Sequence, residues 1–81
     1  MSRLSLTVYS RRQCHLCDQM LAELRPLLSG HEVDLDIVDV DTQEALRQRY
    51  GHKVPVLVAD EEELCHFRLI PERVRRLLEP D

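Results

Sequence analysis

Two cysteines separated by two residues, Cys14 and Cys17, are the side chains whose types and spacing most directly suggest chemistry. Cysteines at this spacing can form a reversible disulfide, supply half of a metal site, or pack in a core as small apolar groups. A third cysteine, Cys65, makes the number odd, which is not the pattern of a secreted scaffold held by disulfides. In a reducing compartment such a pair is more often catalytic or metal-binding than structural.

Charged residues flank the pair and would tune its acidity. Arg11 and Arg12 bring positive charge ahead of Cys14, and His15 acts in the same direction when it is protonated, whereas Asp18 opposes them. We expect at least one of the arginines to bind an anionic substrate or to lower the pKa of Cys14. The position of His15 is equally compatible with an exposed residue that has no role.

The composition is that of one folded domain covering residues 1–81. Hydrophobic residues make up 43% and charged residues 32% of the chain, and the net charge is −4. This balance argues against nucleic-acid binding, which normally needs a cationic face. No apolar run approaches the roughly 20 residues of a membrane span, and the N-terminus lacks the pattern of a signal peptide. We therefore expect a monomeric cytoplasmic protein with no membrane or nucleic-acid partner.

Apolar alternation predicts four strands. Residues 4–9 and 33–40 alternate apolar and polar side chains, which is typical of half-buried strands. The run "VPVLVA" at 54–59 and the run "ELCHFRL" at 63–69 are separated by an acidic segment, "DEEE" at 60–63. We expect these two runs to pair as an antiparallel hairpin across that turn.

Three helices lie between or after these strands. The first carries an apolar stripe at helical spacing, made of Cys17, Leu21, Leu24 and Leu28. Asp41, with Glu44 three residues later, resembles a capping box at the start of the second helix. Pro71 suits the first turn of the third. The order β-α-β-α-β-β-α predicts a parallel first pair of strands and an α/β sandwich built on a four-stranded mixed sheet.

This placement separates the roles of the two cysteines. Cys14 lies at the turn between the first strand and the first helix, and Cys17 lies one helical turn further on. Residues three apart on a helix are neighbours, so the two sulfurs can bond with little backbone movement. The helix N-terminus favours the Cys14 thiolate, whereas Cys17 shares the buried stripe. We expect Cys14 to be the nucleophile and Cys17 the resolving thiol.

Four features together resemble the glutaredoxin-like branch of the thioredoxin superfamily. They are "LTVY" leading into "SRRQCHLC", the order of elements, "KVPVL" at the third strand, and the closing helix. The chain is similar in particular to short bacterial glutaredoxin-like proteins with a C-H-L-C-D motif. The resemblance implies a thioredoxin-like fold and a thiol–disulfide oxidoreductase that acts on a protein disulfide or a small thiol. It implies no metal and no organic cofactor.

The resemblance also assigns binding residues. Val54 and Pro55 match the family's cis-proline and the residue before it, whose backbone would pair with an extended substrate. Arg11 matches a basic residue that contacts a carboxylate of glutathione, a candidate co-substrate. However, the segment "CHFRLIPER" at 65–73 has no glycine where glutaredoxins usually carry a Gly-Gly pair. A loop without glycine is poorly equipped to hold the glutamyl end of glutathione.

Two other functions stay open from the sequence. Cys14, Cys17 and Cys65 together with His15 or His66 could form a zinc site, although Cys65 lies much further along the chain than zinc ligands usually do. On its predicted strand, Cys65 is better explained as a small core residue. The other possibility is a redox-inert thioredoxin-like module that binds a partner protein, a function that would need neither the cysteine pair nor the proline.

Overall fold

The computed structural model describes residues 4–79, so the ends of the expected 1–81 domain, residues 1–3 and 80–81, lie outside it. The predicted order of strands and helices is confirmed, with one short 3₁₀ helix in addition. The elements are β1 (Leu4–Ser10), α1 (His15–Leu28), β2 (Val33–Asp39), the 3₁₀ helix (Val40–Thr42), α2 (Glu44–Tyr50), β3 (Val56–Ala59), β4 (Glu62–His66) and α3 (Pro71–Leu78).

The four strands form one mixed sheet in the order β2-β1-β3-β4. β1 pairs with β2 in parallel and with β3 in the antiparallel sense, and β3 and β4 form the predicted hairpin. Tyr9, near the end of β1, lies opposite Val56, the first residue of β3. The segment that follows β1 and the segment that precedes β3 therefore meet at one end of the sheet.

Each face of the sheet carries its own core. On one face, Leu6 and Val8 of β1 pack in a cluster that includes Met20 and Leu24 of α1 and Val74 of α3. The opposite face is covered by the short α2. There a smaller cluster contains Val40, Tyr50, Val56 and Val58, and the rings of Tyr9 and Tyr50 stack with centroids 4.2 Å apart. No helix within residues 4–79 has the length and apolar character needed to cross a membrane.

The start of α2 differs from the expected capping box. The backbone N–H of Asp41 donates to the carboxylate of Asp39 at 2.8 Å, so Asp39 caps the N-terminus of the 3₁₀ helix. α2 begins only at Glu44, after Gln43, whose side chain makes no capping hydrogen bond. The prediction fails because Asp39 caps the preceding turn, and Asp41 is directed toward Arg11 instead.

Local backbone features mark where α1 and the predicted last strand end. α1 continues through Pro26 to Leu28, so the proline lies in its last turn, and Gly30 beyond it has φ +84°. The strand predicted over 63–69 is wrong at its end, because β4 stops at His66. Phe67 has φ +65°, in the left-handed region, and this interrupts the extended run.

The acidic turn between β3 and β4 is a two-residue loop. Ala59 and Glu62 are paired, and the two residues between them, Asp60 and Glu61, have φ of +49° and +67°. Positive φ at both central positions is the pattern of a type I′ turn, which favours Asn-Gly or Asp-Gly. Glutamate at the second position therefore carries a conformational penalty.

Replacing this residue with glycine (Glu61→Gly) is expected to raise the free energy of unfolding by about 1 kcal/mol, because glycine has no Cβ to clash in the left-handed region. Urea denaturation measures the change. Glu61→Ala is the matched control, since it removes the same charge without relieving the backbone. Equal stabilisation by both variants would show that charge repulsion, rather than backbone conformation, limits the turn.

Candidate functional site

The two cysteines lie at the N-terminus of α1 and are joined by a disulfide, with Cα atoms 5.2 Å apart. Cys14 is the N-cap residue, in extended conformation, and its Sγ accepts the backbone N–H of Cys17 at 3.1 Å. The helix terminus therefore directs an otherwise unpaired N–H group at this sulfur. In the reduced protein the same N–H would stabilise a Cys14 thiolate.

The two sulfurs differ in solvent access, as the sequence predicts. Cys14 is half-buried, whereas Cys17 is 2% exposed and lies on the buried side of α1 with Met20 and Leu24. An external molecule can therefore reach Cys14 more easily than Cys17. This asymmetry suits an attacking thiol and a resolving thiol.

Arg11 forms a bridge between three parts of the chain. Its Nε and Nη2 donate to the two carboxylate oxygens of Asp41 at 2.9 and 3.2 Å, and its Nη1 donates to the carbonyl of Gly51 at 3.1 Å. The bridge ties the loop before Cys14 to the 3₁₀ helix and to the end of α2. The Arg11 guanidinium holds the pKa of the Asp41 carboxyl below its usual range, and Asp41 raises the pKa of Arg11.

This bridge was missed by sequence reasoning, because Asp41 lies 30 positions from Arg11 and was assigned to a helix cap. A guanidinium has five N–H groups, so three bonds leave two for another acceptor. The suggested contact of Arg11 with a substrate carboxylate stays a prediction. Arg12 and His15 are exposed beside the cysteine pair, and their suggested roles also stay predictions.

Val54 and Pro55 lie at the same end of the sheet as the cysteine pair, because β3 begins directly after them and pairs with the end of β1. The peptide bond between them is cis, Pro55 is buried, and Val54 is half-buried. The backbone N–H and C=O of Val54 make no hydrogen bond to any residue within 4–79. These two groups are therefore available to the backbone of an extended partner.

Lys53, which precedes Val54, is held by an ion pair with β4. The ammonium of Lys53 donates to Glu63 of β4 at 2.6 Å, and the ring of His66 contacts the other oxygen of that carboxylate at 2.9 Å. The hydrogen bond from Lys53, reinforced by His66, lowers the pKa of Glu63. The carboxylate thus links the residue before Val54 to the edge strand.

The third cysteine does not join the pair. Cys65 is 3% exposed within the larger core cluster, and burial raises the pKa of its thiol. Between residues 4 and 79, no three His, Cys, Asp or Glu side chains lie close enough together to hold a metal ion. The Cys/His set considered for zinc is therefore not assembled by this fold.

Beside the cysteine pair lies a groove that the sequence did not reveal, which we call the Leu16/Phe67 groove. One wall comes from α1 and the other from the loop between β4 and α3, and the cavity is about 190 Å³. Its lining residues are Leu16, Gln19, Met20, Glu23, Phe67, Arg68 and Leu69. The sequence predicted a strand over 63–69, so the loop that forms the second wall of this groove was not expected.

Comparison with known proteins gives this geometry a context. A family model described as a glutaredoxin-like domain (DUF836) matches residues 5–79. The protein Ne2328 from Nitrosomonas europaea is 35% identical, with a TM-score of 0.83 over 95% of this chain and 93% of that one. The protein XcR50 from X. campestris is 34% identical, with a TM-score of 0.71 over 90% of this chain and 93% of that one.

More distant structures share the fold alone. Fasciola hepatica thioredoxin is 22% identical, with a TM-score of 0.58 over 94% of this chain and 78% of that one. No curated protein matches the chain. The thioredoxin-like architecture expected from the sequence is confirmed.

The bridge between Arg11 and Asp41 predicts a pH-dependent stability. Asp41→Asn is expected to destabilise the protein at neutral pH, where the folded carboxylate is ionised and paired. Because the pKa of Asp41 is lowered on folding, its contribution is fully present above the ordinary carboxyl pKa of about 4. The contribution is lost as the pH falls through the lower pKa of the folded state. The stability difference between wild type and variant should shrink on acidification.

Urea denaturation across this pH range measures the difference. Asp36→Asn, which removes an exposed carboxylate from β2 outside the bridge, is the control and should show a much smaller pH-dependent difference. A destabilisation by Asp41→Asn that persists undiminished in acid would contradict the ionic role of the bridge.

Proposed function

The chain belongs to the glutaredoxin-like domain (DUF836) family, and from that premise we propose that it is a thiol–disulfide oxidoreductase in which Cys14 and Cys17 alternate between dithiol and disulfide. One observation carries the proposal. The more accessible sulfur, that of Cys14, accepts an N–H group at the start of α1, and the buried sulfur of Cys17 is within bonding distance of it. A redox-inert module would have no need of this arrangement.

The first step is attack by the Cys14 thiolate on one sulfur of a substrate disulfide. A bond forms between Cys14 Sγ and that sulfur, and the substrate S–S bond breaks. The second substrate sulfur leaves as a thiolate with the bonding electron pair and is protonated by solvent. Positive charge at the helix N-terminus and from Arg11 and Arg12 favours the thiolate form of Cys14.

The second step resolves the mixed disulfide. Cys17, after losing its proton to solvent, attacks Cys14 Sγ, and the remaining substrate sulfur leaves as a thiolate. The substrate has then gained two electrons and two protons, and the protein holds the Cys14–Cys17 disulfide. An external dithiol, or two monothiols, returns the protein to its reduced form and is itself oxidised to a disulfide. The same steps in reverse would oxidise a substrate dithiol.

Substrate orientation would come from Val54. Its unpaired backbone N–H and C=O can accept an extended segment at the end of the sheet where Cys14 lies. This places a protein disulfide or a small thiol compound among the candidate substrates. We also propose a cytoplasmic location, where a reducing environment would keep the dithiol available.

Cysteine variants test the mechanism. With bis(2-hydroxyethyl) disulfide as the probe, Cys14→Ser is expected to lose at least about 10³-fold in exchange rate, because the attacking atom is absent. Cys17→Ser should accumulate a mixed disulfide on Cys14, because nothing resolves it. Acid quenching at a series of times, followed by mass spectrometry of the intact protein, measures both outcomes.

Cys65→Ala is the matched control and should retain wild-type exchange, since its thiol is buried and has a raised pKa. Exchange by Cys14→Ser at the wild-type rate would contradict the proposal. A wild-type protein that exchanges with no disulfide at all would instead indicate the partner-binding module.

A further inference from the structure

The first two backbone N–H groups of the loop between β4 and α3 donate to carbonyl groups of the protein itself. Phe67 donates to the carbonyl of Pro55 at 2.9 Å, and Arg68 donates to the carbonyl of His66 at 2.7 Å. Both groups are therefore used within the protein. Neither is available to hold a ligand from solvent.

The rest of the same loop offers little more. Pro71 has no N–H group. Over 67–71, two backbone N–H groups lie outside these bonds, those of Leu69 and Ile70, and Leu69 is buried. Backbone sites for carboxylates or phosphates need several converging N–H groups. This loop is therefore not built to hold the carboxylate of a small anionic thiol.

The same loop presents an aromatic side chain instead. Phe67 is 45% exposed, although its φ of +65° is unusual for a bulky residue. Its ring makes an edge contact with His66, with centroids 4.9 Å apart. Across the groove stands Leu16, which is 39% exposed and lies between the two cysteines in the sequence. Apolar surface is thus continuous with the redox pair.

Exposed apolar side chains are concentrated at this site. Among residues 4–79, five large hydrophobic side chains are exposed: Leu16, Ile37, Phe67, Ile70 and Leu77. Three of the five belong to the start of α1 or to the loop at 67–70. Of these three, Leu16 and Phe67 line the same groove, so one partner group can cover the apolar surface of both.

The Leu16/Phe67 groove is large enough for one side chain, and its lining combines apolar walls with polar groups. Its cavity of about 190 Å³ compares with the roughly 150 Å³ of a protein cavity that holds benzene. Met20 and Leu69 lie in its buried wall, while Glu23 and Arg68 place opposite charges on its lining. With one charge of each sign, the groove gives no electrostatic preference for an anionic ligand.

We propose that the substrate of this oxidoreductase is a polypeptide disulfide with an apolar residue next to the reacting cysteine, and that this residue occupies the Leu16/Phe67 groove. The inference rests on the proposed function and adds the substrate class to it. The substrate backbone pairs with Val54 while its apolar neighbour enters the groove. Glutathione lacks such a side chain, and the loop at 67–71 does not offer it several converging backbone N–H groups.

Peptide disulfides of matched size test the proposal. The probes are the symmetrical disulfides of Gly-Leu-Cys-Leu-Gly and Gly-Ser-Cys-Ser-Gly, capped at both ends, together with oxidised glutathione. The reduced wild-type protein is expected to react with the leucine peptide at least about 10-fold faster than with the serine peptide. Oxidised glutathione should react no faster than the serine peptide. Quenched reactions with mass spectrometry of the Cys14 adduct give the rates.

Phe67→Gly removes one wall of the groove, and glycine adopts the observed φ of +65° without strain. It should reduce the ratio of the leucine-peptide rate to the serine-peptide rate by about 5-fold, and because both rates are measured on the same variant, a general change in exchange cancels from this ratio. Ile37→Ser is the matched control, because Ile37 is similarly exposed, at 48%, but lies on the edge strand β2. That variant should keep the wild-type preference.

Three results would overturn the inference while leaving the proposed function intact. They are equal rates for the two peptides, a leucine preference that survives Phe67→Gly, and oxidised glutathione reacting faster than the leucine peptide. If Cys14 forms no adduct with any probe, including bis(2-hydroxyethyl) disulfide, the proposed function fails and the inference fails with it.

Discussion

Hydrogen bonding of β1 to both of its neighbours is the constraint on which the rest of the structure depends. The parallel pairing with β2 requires the chain to cross over through α1, which places Cys14 at the start of that helix. The antiparallel pairing with β3 brings the Val54–Pro55 segment to the same end of the sheet. Segments about forty positions apart in the sequence are therefore brought to one end of the sheet by backbone hydrogen bonds.

Burial then distinguishes three chemically identical thiols. Cys14 lies at the surface end of α1, Cys17 faces inward one turn later, and Cys65 lies in the core on β4. The charged form of a thiol is disfavoured where water is excluded, and burial accordingly raises the pKa of Cys65. Helical periodicity predicted the burial of Cys17, and the frequent burial of free cysteine predicted that of Cys65.

The features that sequence reasoning could predict are local or periodic. Strand alternation and the helical stripe predicted the order of elements, and the cysteine spacing predicted that Cys14 and Cys17 could form a disulfide. The bridge from Arg11 to Asp41 could not be predicted, because it joins residues whose approach depends on the finished fold. The groove was missed for another reason: Phe67 fits a strand pattern, and its positive φ has no signal in residue type. Left-handed backbone is expected of glycine or asparagine rather than phenylalanine.

The carbonyl of Gly51 accepts a hydrogen bond from Arg11. Position 51 therefore affects the loop before Cys14 although it lies far from the cysteines in the sequence. Its φ is −58°, which any residue adopts, so backbone freedom does not explain the glycine. Space does: an added Cβ would lie 2.5 Å from the carbonyl oxygen of Arg47 and 3.0 Å from the Arg11 guanidinium. A single methyl group there would clash with both groups. It would push apart the end of α2 and the loop that precedes Cys14, so glycine is the largest residue that position 51 accepts without displacing these two segments.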